Sequence, residues 1–337
     1  MLDWRIGKLR VAAMSEEGIV SRGLVAGFFA LLSLLANAQG FPDRPIRIIV
    51  PLPPGGSPDT IARSLAQGLQ SVWTQPVVVE NRTGGSQNIG ADAVAKSPPD
   101  GYTWFVAPDN VFSVNAHIAK QPFDPFVDLA PVTLLARIQF LLVVHPSLPA
   151  ASVQELIAYA RAKPGELNFG SSGSGSPQFL GGTLLQQLTG TKMNHVPYKG
   201  AAPAVLDLLA GRIQVWIGAA NSLLPHVREG KLRLLATAAA QRFSVIGDTP
   251  TMAEAGIPGY SLYPWLGLFV PGKTPPEIIA KINGEVARIV NSAEVRARLA
   301  PQGIDLSTGS PEALAALIRE DDARWGKLMR EAGITGE

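Results

Sequence analysis

The stretch that decides the fold is IRIIVPLPPGGSPDTIARSLAQGL, residues 46–69. Its β-branched run Ile46–Val50 predicts a strand, which the prolines and glycines of residues 51–56 end. Apolar residues then recur from Ile61 to Val72 at the spacing of a helix with one apolar face. A strand, a glycine-rich turn and a helix in this order are typical of α/β layers built on mostly parallel strands.

The same succession returns at LNFGSSGSGSPQFLGGTLLQQL, residues 167–188. A short strand is predicted at Leu167–Phe169, followed by the loop Gly170–Gly175 and a second helix. In each copy a serine, Ser57 or Ser176, stands where a helix N-cap is expected, and a proline follows at the first helical position. The chain therefore uses one structural phrase twice.

Each phrase places a helix N-terminus directly after a glycine-rich loop. Such an end leaves about four N–H groups without intrahelical partners and carries roughly half a positive charge. Two of them, one from each half of the chain, are expected to form a cleft that binds a carboxylate without lysine or arginine. Asp59 either holds the first loop or accepts a hydrogen bond from an ammonium or hydroxyl group of the ligand. For either phrase alone, a tight connection without a ligand is the alternative.

The rest of the chain alternates short strands with helices. Further strands are predicted at Val77–Glu80, Tyr102–Ala107, Phe140–Val144, His195–Tyr198, Ile213–Ile217, Leu232–Thr237 and Trp265–Val270. Further helices are predicted at Asn88–Ala95, Val153–Ala162, Phe179–Leu188, Ala204–Leu209, 278–290 and Ala313–Met329. This alternation again favours an α/β fold.

The first 38 residues have the features of an export signal. Basic residues precede the apolar run 23–36, and Ala36-Asn37-Ala38 provides the small residues of a signal-peptidase site. We expect cleavage after Ala38 and export to the periplasm, with Met1 or Met14 as the translation start. The alternative is an uncleaved membrane anchor, which the short run disfavours because a span needs about 20 apolar residues.

Composition excludes several classes of function. The 337 residues are 46% hydrophobic and 17% charged, with a net charge of +2 and no cysteine. These values describe a globular chain without disulfides or thiol chemistry. No basic stripe with interleaved aromatic residues suggests nucleic acid. The four histidines show no metal-ligand spacing, so we expect no metal and no cofactor.

Longer motifs extend along the chain. They are PLPPGGSPDTIAR (51–63), VENR (79–82), NIGA (88–91), PDGYT (99–103), VPYKG (196–200), GKLR (230–233), EAG (254–256) and PGKTP (271–275). In this order they resemble the Bug-type substrate-binding proteins of tripartite tricarboxylate transporters. The resemblance covers essentially the whole chain after residue 38.

The resemblance implies an α/β, two-lobed periplasmic binding protein of the type II-like class. Two mixed sheets flanked by helices would enclose a ligand cleft between the lobes. Lobe I is expected to comprise 39–138 plus 264–337, and lobe II 139–263. The protein would be a monomer that captures a small carboxylate and contacts transporter membrane subunits transiently.

The expected ligand-binding residues come from both phrases and from two strand ends. They are Pro54, Gly55, Gly56, Asp59, Asn110, Ser172, Gly173, Ser174, Gly175, Ser176 and Asn221. Asn110 and Asn221 are included because ligands bind at the carboxyl ends of parallel strands; capping a loop is their alternative role. Gln178-Phe179 replaces the family's common His-Leu, and the roles of Gln178, Phe179 and Lys199 stay open, as does the identity of the acid.

No catalytic residue is expected, but an alternative from another class is a secreted hydrolase. It would need a loop serine Oγ within hydrogen-bond reach of a histidine. A ligand sensor without its own transporter is a further alternative. The stretch 267–274 fits the written P-loop pattern, yet its Leu, Phe, Val and Pro are typical of a strand that ends in a turn.

Overall fold

The computed structural model describes residues 40–118, 120–173 and 175–334. The chain divides into a first unit, residues 1–43, and a second, compact unit, residues 44–337. Only residues 40–43 of the first unit are described, and every element below belongs to the second. The predicted signal peptide, the two candidate start residues and Ser174 lie outside the described ranges.

The first sheet combines strands from both ends of the second unit. Its strands are β1 (Ile46–Val50), β2 (Val77–Asn81), β3 (Thr103–Pro108), β4 (Leu129–Ile138), β10 (Trp265–Pro271) and β11 (Ile304–Leu306). Their order is β11-β4-β10-β3-β1-β2. Strand β1 pairs in parallel with β2 and β3, while β10 and β11 run antiparallel to their neighbours.

The second sheet is formed by the middle of the chain. Its strands are β5 (Phe140–Val144), β6 (Asn168–Ser171), β7 (Asn194–Pro197), β8 (Val215–Ala219) and β9 (Arg233–Thr237). Their order is β7-β6-β8-β5-β9, with β6 parallel to β7 and β8, and β5 antiparallel to β8 and β9. The predicted two-lobed α/β fold with two mixed sheets is confirmed.

Helices flank both sheets. They are α1 (Ser57–Trp73), α2 (Asn88–Ala95), α3 (Asn110–Ser113), α4 (Asn115–Ile118), α5 (Val153–Ala162), α6 (Pro177–Thr189), α7 (Ala201–Leu209), α8 (Ala220–Arg228), α9 (Pro276–Val290), α10 (Ala293–Leu299) and α11 (Pro311–Glu331). Serine N-caps begin several of them: the Ser152 and Ser310 hydroxyls, for example, accept hydrogen bonds from Glu155 and Ala313 amides. Such caps satisfy amides that the helix itself leaves unpaired. None of the described helices is long and apolar enough to cross a bilayer.

Each sheet has a hydrophobic core of its own. In the first, the ring of Phe112 stacks on Phe269 at 4.4 Å between centroids, and Trp265 lies 6.2 Å away. In the second, the fully buried Trp216 packs among residues of β5, α7 and α8. Burial of each large apolar side chain contributes about 1.5–3 kcal/mol, so both lobes have substantial cores.

Six helices and strands have no counterpart in the sequence prediction: β4, β11, α3, α4, α8 and α10. The ten-residue strand β4 was missed because its pairing with β10 shifts register twice, which removes the regular alternation of buried positions. Helix α8 contains Pro225, a residue that usually ends helices. The P-loop pattern at 267–274 is confirmed as the end of a strand followed by a turn, since β10 extends to Pro271.

One glycine in α6 allows the helix to pack closely on its sheet. A Cβ at Gly182 would clash with the ring of Phe169, a residue of β6 that is only 3% exposed. Gly284 of α9, by contrast, is exposed and has nothing within 4 Å of a Cβ position.

We predict that Gly182→Ala lowers the free energy of unfolding by up to about 2 kcal/mol. Overpacking costs about 1–3 kcal/mol, and the better helix propensity of alanine offsets roughly 1 kcal/mol of this. Gly284→Ala, the matched control, should gain about 0.5–1 kcal/mol. Urea denaturation of both variants measures the difference; equal stabilisation of the two would contradict the packing argument.

Candidate functional site

Two chain segments connect the two sheets, and both meet a given sheet at the same edge. The first, residues 138–140, joins β4 to β5, and the second, 262–264, leads into β10. The amide of Ile138 donates to the carbonyl of Pro264 at 2.7 Å, so the segments are paired. The carboxyl ends of β1, β3, β6 and β8 lie at these edges, as the strand registers require. The loops that follow these strands therefore open towards the space between the lobes.

The first of these loops is stabilised by a carboxylate. Asp59, 4% exposed, accepts hydrogen bonds from the Gly55 amide at 3.0 Å, Arg63 Nε at 2.9 Å and Asn81 Nδ2 at 3.0 Å. Asn81 Nδ2 also donates to the carbonyl of Leu52. Of the two roles foreseen for Asp59, holding the loop is the one these contacts favour.

The hydrogen bonds also decide the ionisation of Asp59. Burial by itself would raise its pKa, but the donors Arg63, Gly55 and Asn81 together lower the pKa below its ordinary 3.8. A lowered carboxyl pKa stabilises the fold above the unfolded-state pKa, and this stabilisation is lost as pH falls through the folded-state value. Asp59 is therefore ionised and hydrogen-bonded at neutral pH.

The start of α1 differs from the prediction. Helix α1 begins at Ser57, and Gly56 occupies the N-cap position with extended backbone. The predicted capping by Ser57 is wrong, because its hydroxyl makes no hydrogen bond although the residue is 5% exposed. The residues Pro54, Gly55 and Gly56 are exposed, and Gly55 has a φ of +89°, which glycine tolerates readily.

The second loop fits the prediction more closely at its helix end. Ser176 is the N-cap of α6 and its hydroxyl accepts from the Phe179 amide, while Pro177 takes the first helical position. Ser172 and Gly173 are half-buried, and Gly175 and Ser176 are buried. A Cβ at Gly175 would meet Val114 and Ile118 of the first lobe. The tip of this loop thus packs against the α3–α4 region of the opposite lobe.

The two asparagines lie at the starts of helices. Asn110 is the first residue of α3 and 3% exposed, and Asn221 is the second residue of α8 and half-buried. The neighbouring Asp109 is 5% exposed; burial, and then the charge of Asp321, raise its pKa to about 8. A raised carboxyl pKa means that the folded protein retains a proton which the unfolded chain releases, so this group lowers stability as pH rises from 4 to 8.

Three buried polar atoms near these helix starts have no hydrogen-bond partner. They are Ser57 Oγ, Asn110 Oδ1 and Gln178 Oε1, on residues that are 5%, 3% and 8% exposed. A buried polar atom without a partner costs about 1–3 kcal/mol, so these three atoms make the strand ends that face the space between the lobes the candidate ligand site. Sequence reasoning did not include Ser57 and left Gln178 open; the Ser-Pro-Asp and Ser-Pro-Gln positions inside the repeated phrase were the available signal.

A serine–histidine contact is present in the second lobe. Ser171 Oγ lies 2.6 Å from His195 Nε2, and it is also 3.1 Å from both the amide and the carbonyl oxygen of Gly173. Ser171 is completely buried, and no carboxylate among the described residues hydrogen-bonds His195. Lys199 is exposed, and the half-buried Phe179 ring packs 4.7 Å from the imidazole.

We predict that Asp59→Asn lowers the free energy of unfolding by about 1–3 kcal/mol, because one amide oxygen cannot accept from Gly55, Arg63 and Asn81 together. The control is Asp92→Asn, which breaks an exposed i,i+4 pair with Lys96 and should cost less than about 0.5 kcal/mol. Chemical denaturation measures both variants. Equal small losses would contradict the role assigned to Asp59.

Comparison with known proteins agrees with the motifs. Residues 61–334 match the family model of the tripartite tricarboxylate transporter family receptor. BugT of Bordetella pertussis is 38% identical over 314 residues, which cover 92% of this chain and 96% of that protein. A UPF0065 protein of Pseudomonas sp. is 35% identical over 315 residues, or 92% of this chain and 94% of that one.

Solved structures show the same similarity. Rpa4515 of R. palustris, solved with adipate, has a TM-score of 0.84 at 37% identity, covering 88% of this chain and all of that one. MatC of Rhodopseudomonas palustris, solved with malate, has a TM-score of 0.79 at 32% identity, covering 86% and 99%. The resemblance that the motifs indicated is confirmed, and the chain belongs to the tripartite tricarboxylate transporter receptor family.

Proposed function

We propose that this protein captures a small carboxylate between its two lobes and delivers it to transporter membrane subunits. In this proposal lobe I comprises 39–138 plus 264–337 and lobe II 139–263. The chain acts in the periplasm as a monomer after cleavage behind Ala38. The family supports the receptor role, and the adipate and malate of two related structures support the class of ligand.

The observation that carries the proposal is the pair of helix starts at the cleft. Helices α1 and α6 begin directly after the loops that follow β1 and β6, and both have proline in the first turn. Their unpaired amides and dipoles favour an anion from both sides. The Gly55 amide already donates to Asp59, and Pro58 has no N–H, so the amides of Gly56 and Ser57 are the expected donors of the first loop. In the second loop the Gly173 and Ser176 amides are already paired, which leaves those of Ser172 and Gly175 among the described residues.

The side-chain amides of Asn110 and Gln178, whose oxygens have no partner, are the expected contacts for the rest of the ligand. A terminal amide can offer its oxygen to a hydroxyl or its NH₂ group to a carboxylate. Within α6, Gln178 shares a face with Gly181 and Gly182, which pack on the second sheet. Its side chain therefore lies at the carboxyl end of that sheet, where it can bind a second polar group of the ligand.

The hydrolase alternative has one observation in its favour, the Ser171–His195 distance of 2.6 Å. Against it, Ser171 is completely buried and its Oγ already contacts the Gly173 amide and carbonyl. A nucleophile must reach its substrate, and its base is usually oriented by a third group. These contacts favour a structural role for the pair, and binding is the function we propose.

A thermal-shift screen tests the proposal. The purified protein is melted with adipate, malate, succinate and citrate, and with adipamide as the uncharged analogue of adipate. A ligand at a hundredfold excess over its dissociation constant stabilises the folded state by about 2.7 kcal/mol. We expect at least one carboxylate to raise the melting temperature while adipamide does not. A panel without any shift, or equal shifts for adipate and adipamide, would overturn the carboxylate assignment.

We predict that Gln178→Leu separates stability from binding. Removing a buried amide oxygen that has no partner should leave the free energy of unfolding unchanged or raise it, while the affinity for the best carboxylate falls at least tenfold. Gln241→Leu makes the same change at an exposed position and should leave affinity unaltered. Calorimetric titration measures the affinities; unchanged binding in the Gln178 variant would remove this residue from the site.

A further inference from the structure

The imidazole of His195 contacts residues on both sides of the second ligand loop. Its Nε2 lies 2.6 Å from Ser171 Oγ, at the end of β6. Its ring stacks on Phe169 at 5.1 Å and packs against Phe179 at 4.7 Å. The Phe179 amide in turn donates to Ser176, the N-cap of α6. One side chain of β7 thus connects the strand before the loop with the helix after it.

The hydrogen bonds around Ser171 indicate which atom is the donor in the contact between Ser171 and His195. A serine hydroxyl has one hydrogen to donate and two lone pairs. Ser171 Oγ is 3.1 Å from both the amide and the carbonyl oxygen of Gly173. All three contacts are hydrogen bonds at once only when His195 Nε2–H donates to Ser171 Oγ. The hydroxyl then donates to the Gly173 carbonyl and accepts from the Gly173 amide.

This arrangement acts on the backbone that is expected to bind the ligand. Gly173 has a φ of +117°, a conformation that residues with side chains rarely adopt, and glycine itself can adopt many others. The two contacts with Ser171 hold Gly173 in this one conformation. A loop held before binding loses less conformational entropy when the ligand arrives.

We propose that His195 is a positioning residue: by donating to Ser171 it holds residues 171–173 of the second loop in the conformation that binds the ligand. The inference rests on the proposed function, because it assigns the loop to the ligand site. Burial lowers the pKa of His195, which keeps the ring neutral at pH 7.5, in agreement with a single Nε2–H donor. Loss of that donor should loosen the loop without removing any group that touches the ligand.

The test uses two substitutions that separate hydrogen bonding from packing. His195→Gln can place an amide NH₂ near Ser171, and His195→Phe retains an aromatic ring beside Phe169 and Phe179 but has no donor. The control is His145→Phe, because His145 Nδ1 contacts Ser147 Oγ at 2.7 Å beyond β5, at the sheet edge opposite the cleft. Ser171→Ala removes the other partner and replaces His195→Phe if that variant does not fold.

Two measurements are made on the full chain at pH 7.5. Calorimetric titration with adipate gives affinity, and hydrogen exchange of the ligand-free protein reports the amides of 171–179. We expect His195→Phe to bind adipate at least tenfold more weakly, about 1.4 kcal/mol, and to exchange these amides at least tenfold faster. His195→Gln should stay within threefold of wild type in both, and His145→Phe should match wild type.

Two results would overturn the inference. One is wild-type affinity and loop exchange in His195→Phe; the other is an equal loss in His195→Gln and His195→Phe, which would show that only the imidazole shape matters. If the wild-type protein fails to bind adipate, the assignment of this ligand fails. Exchange of the ligand-free loop still decides whether His195 holds it, so the two failures are distinguishable.

Discussion

The backbone hydrogen bond between Ile138 and Pro264 is the contact on which the site depends. It pairs the two segments that cross between the sheets and sets the edge at which the lobes meet. Side chains reinforce it: Gln139 Nε2 donates to the Tyr263 hydroxyl at 2.9 Å, and that hydroxyl donates to Asp305 at 2.7 Å. Because the two segments are hydrogen-bonded to each other, they form one paired connection between the sheets.

The two ligand loops share a sequence phrase but are stabilised by different interactions. The first depends on charge, since Asp59 collects donors from its own loop, its own helix and β2. The second depends on the contact between Ser171 and the neutral His195, whose ring packs against Phe169 and Phe179. Glycine provides the backbone freedom in both. The same outline of strand, loop and helix therefore permits different responses to salt, pH and mutation.

Sequence reasoning predicted most elements where the signal is local. The ranges Asn88–Ala95, Phe140–Val144 and Val153–Ala162 agree with the structure residue for residue. Among its failures are the strand β4, where two bulges disturb the alternation, and the cap at Ser57, where Gly56 takes the cap position instead. Both failures have the same cause: pairing with a distant strand or a neighbouring loop overrides a pattern that is read along the chain.

The sequence by itself determined the two strand–loop–helix phrases and the family, because helix starts, glycine-rich turns and apolar periodicity depend on neighbouring residues. Only the tertiary structure decided which groups meet in the site. Parallel pairing of β1 with β2 brings Asn81 to Asp59, and parallel pairing of β6 with β7 brings His195 to Ser171. These contacts join residues that are 22 and 24 positions apart in the sequence, and they form because of the sheet register and not because of local propensity. Which buried polar atoms lack partners depends on such contacts.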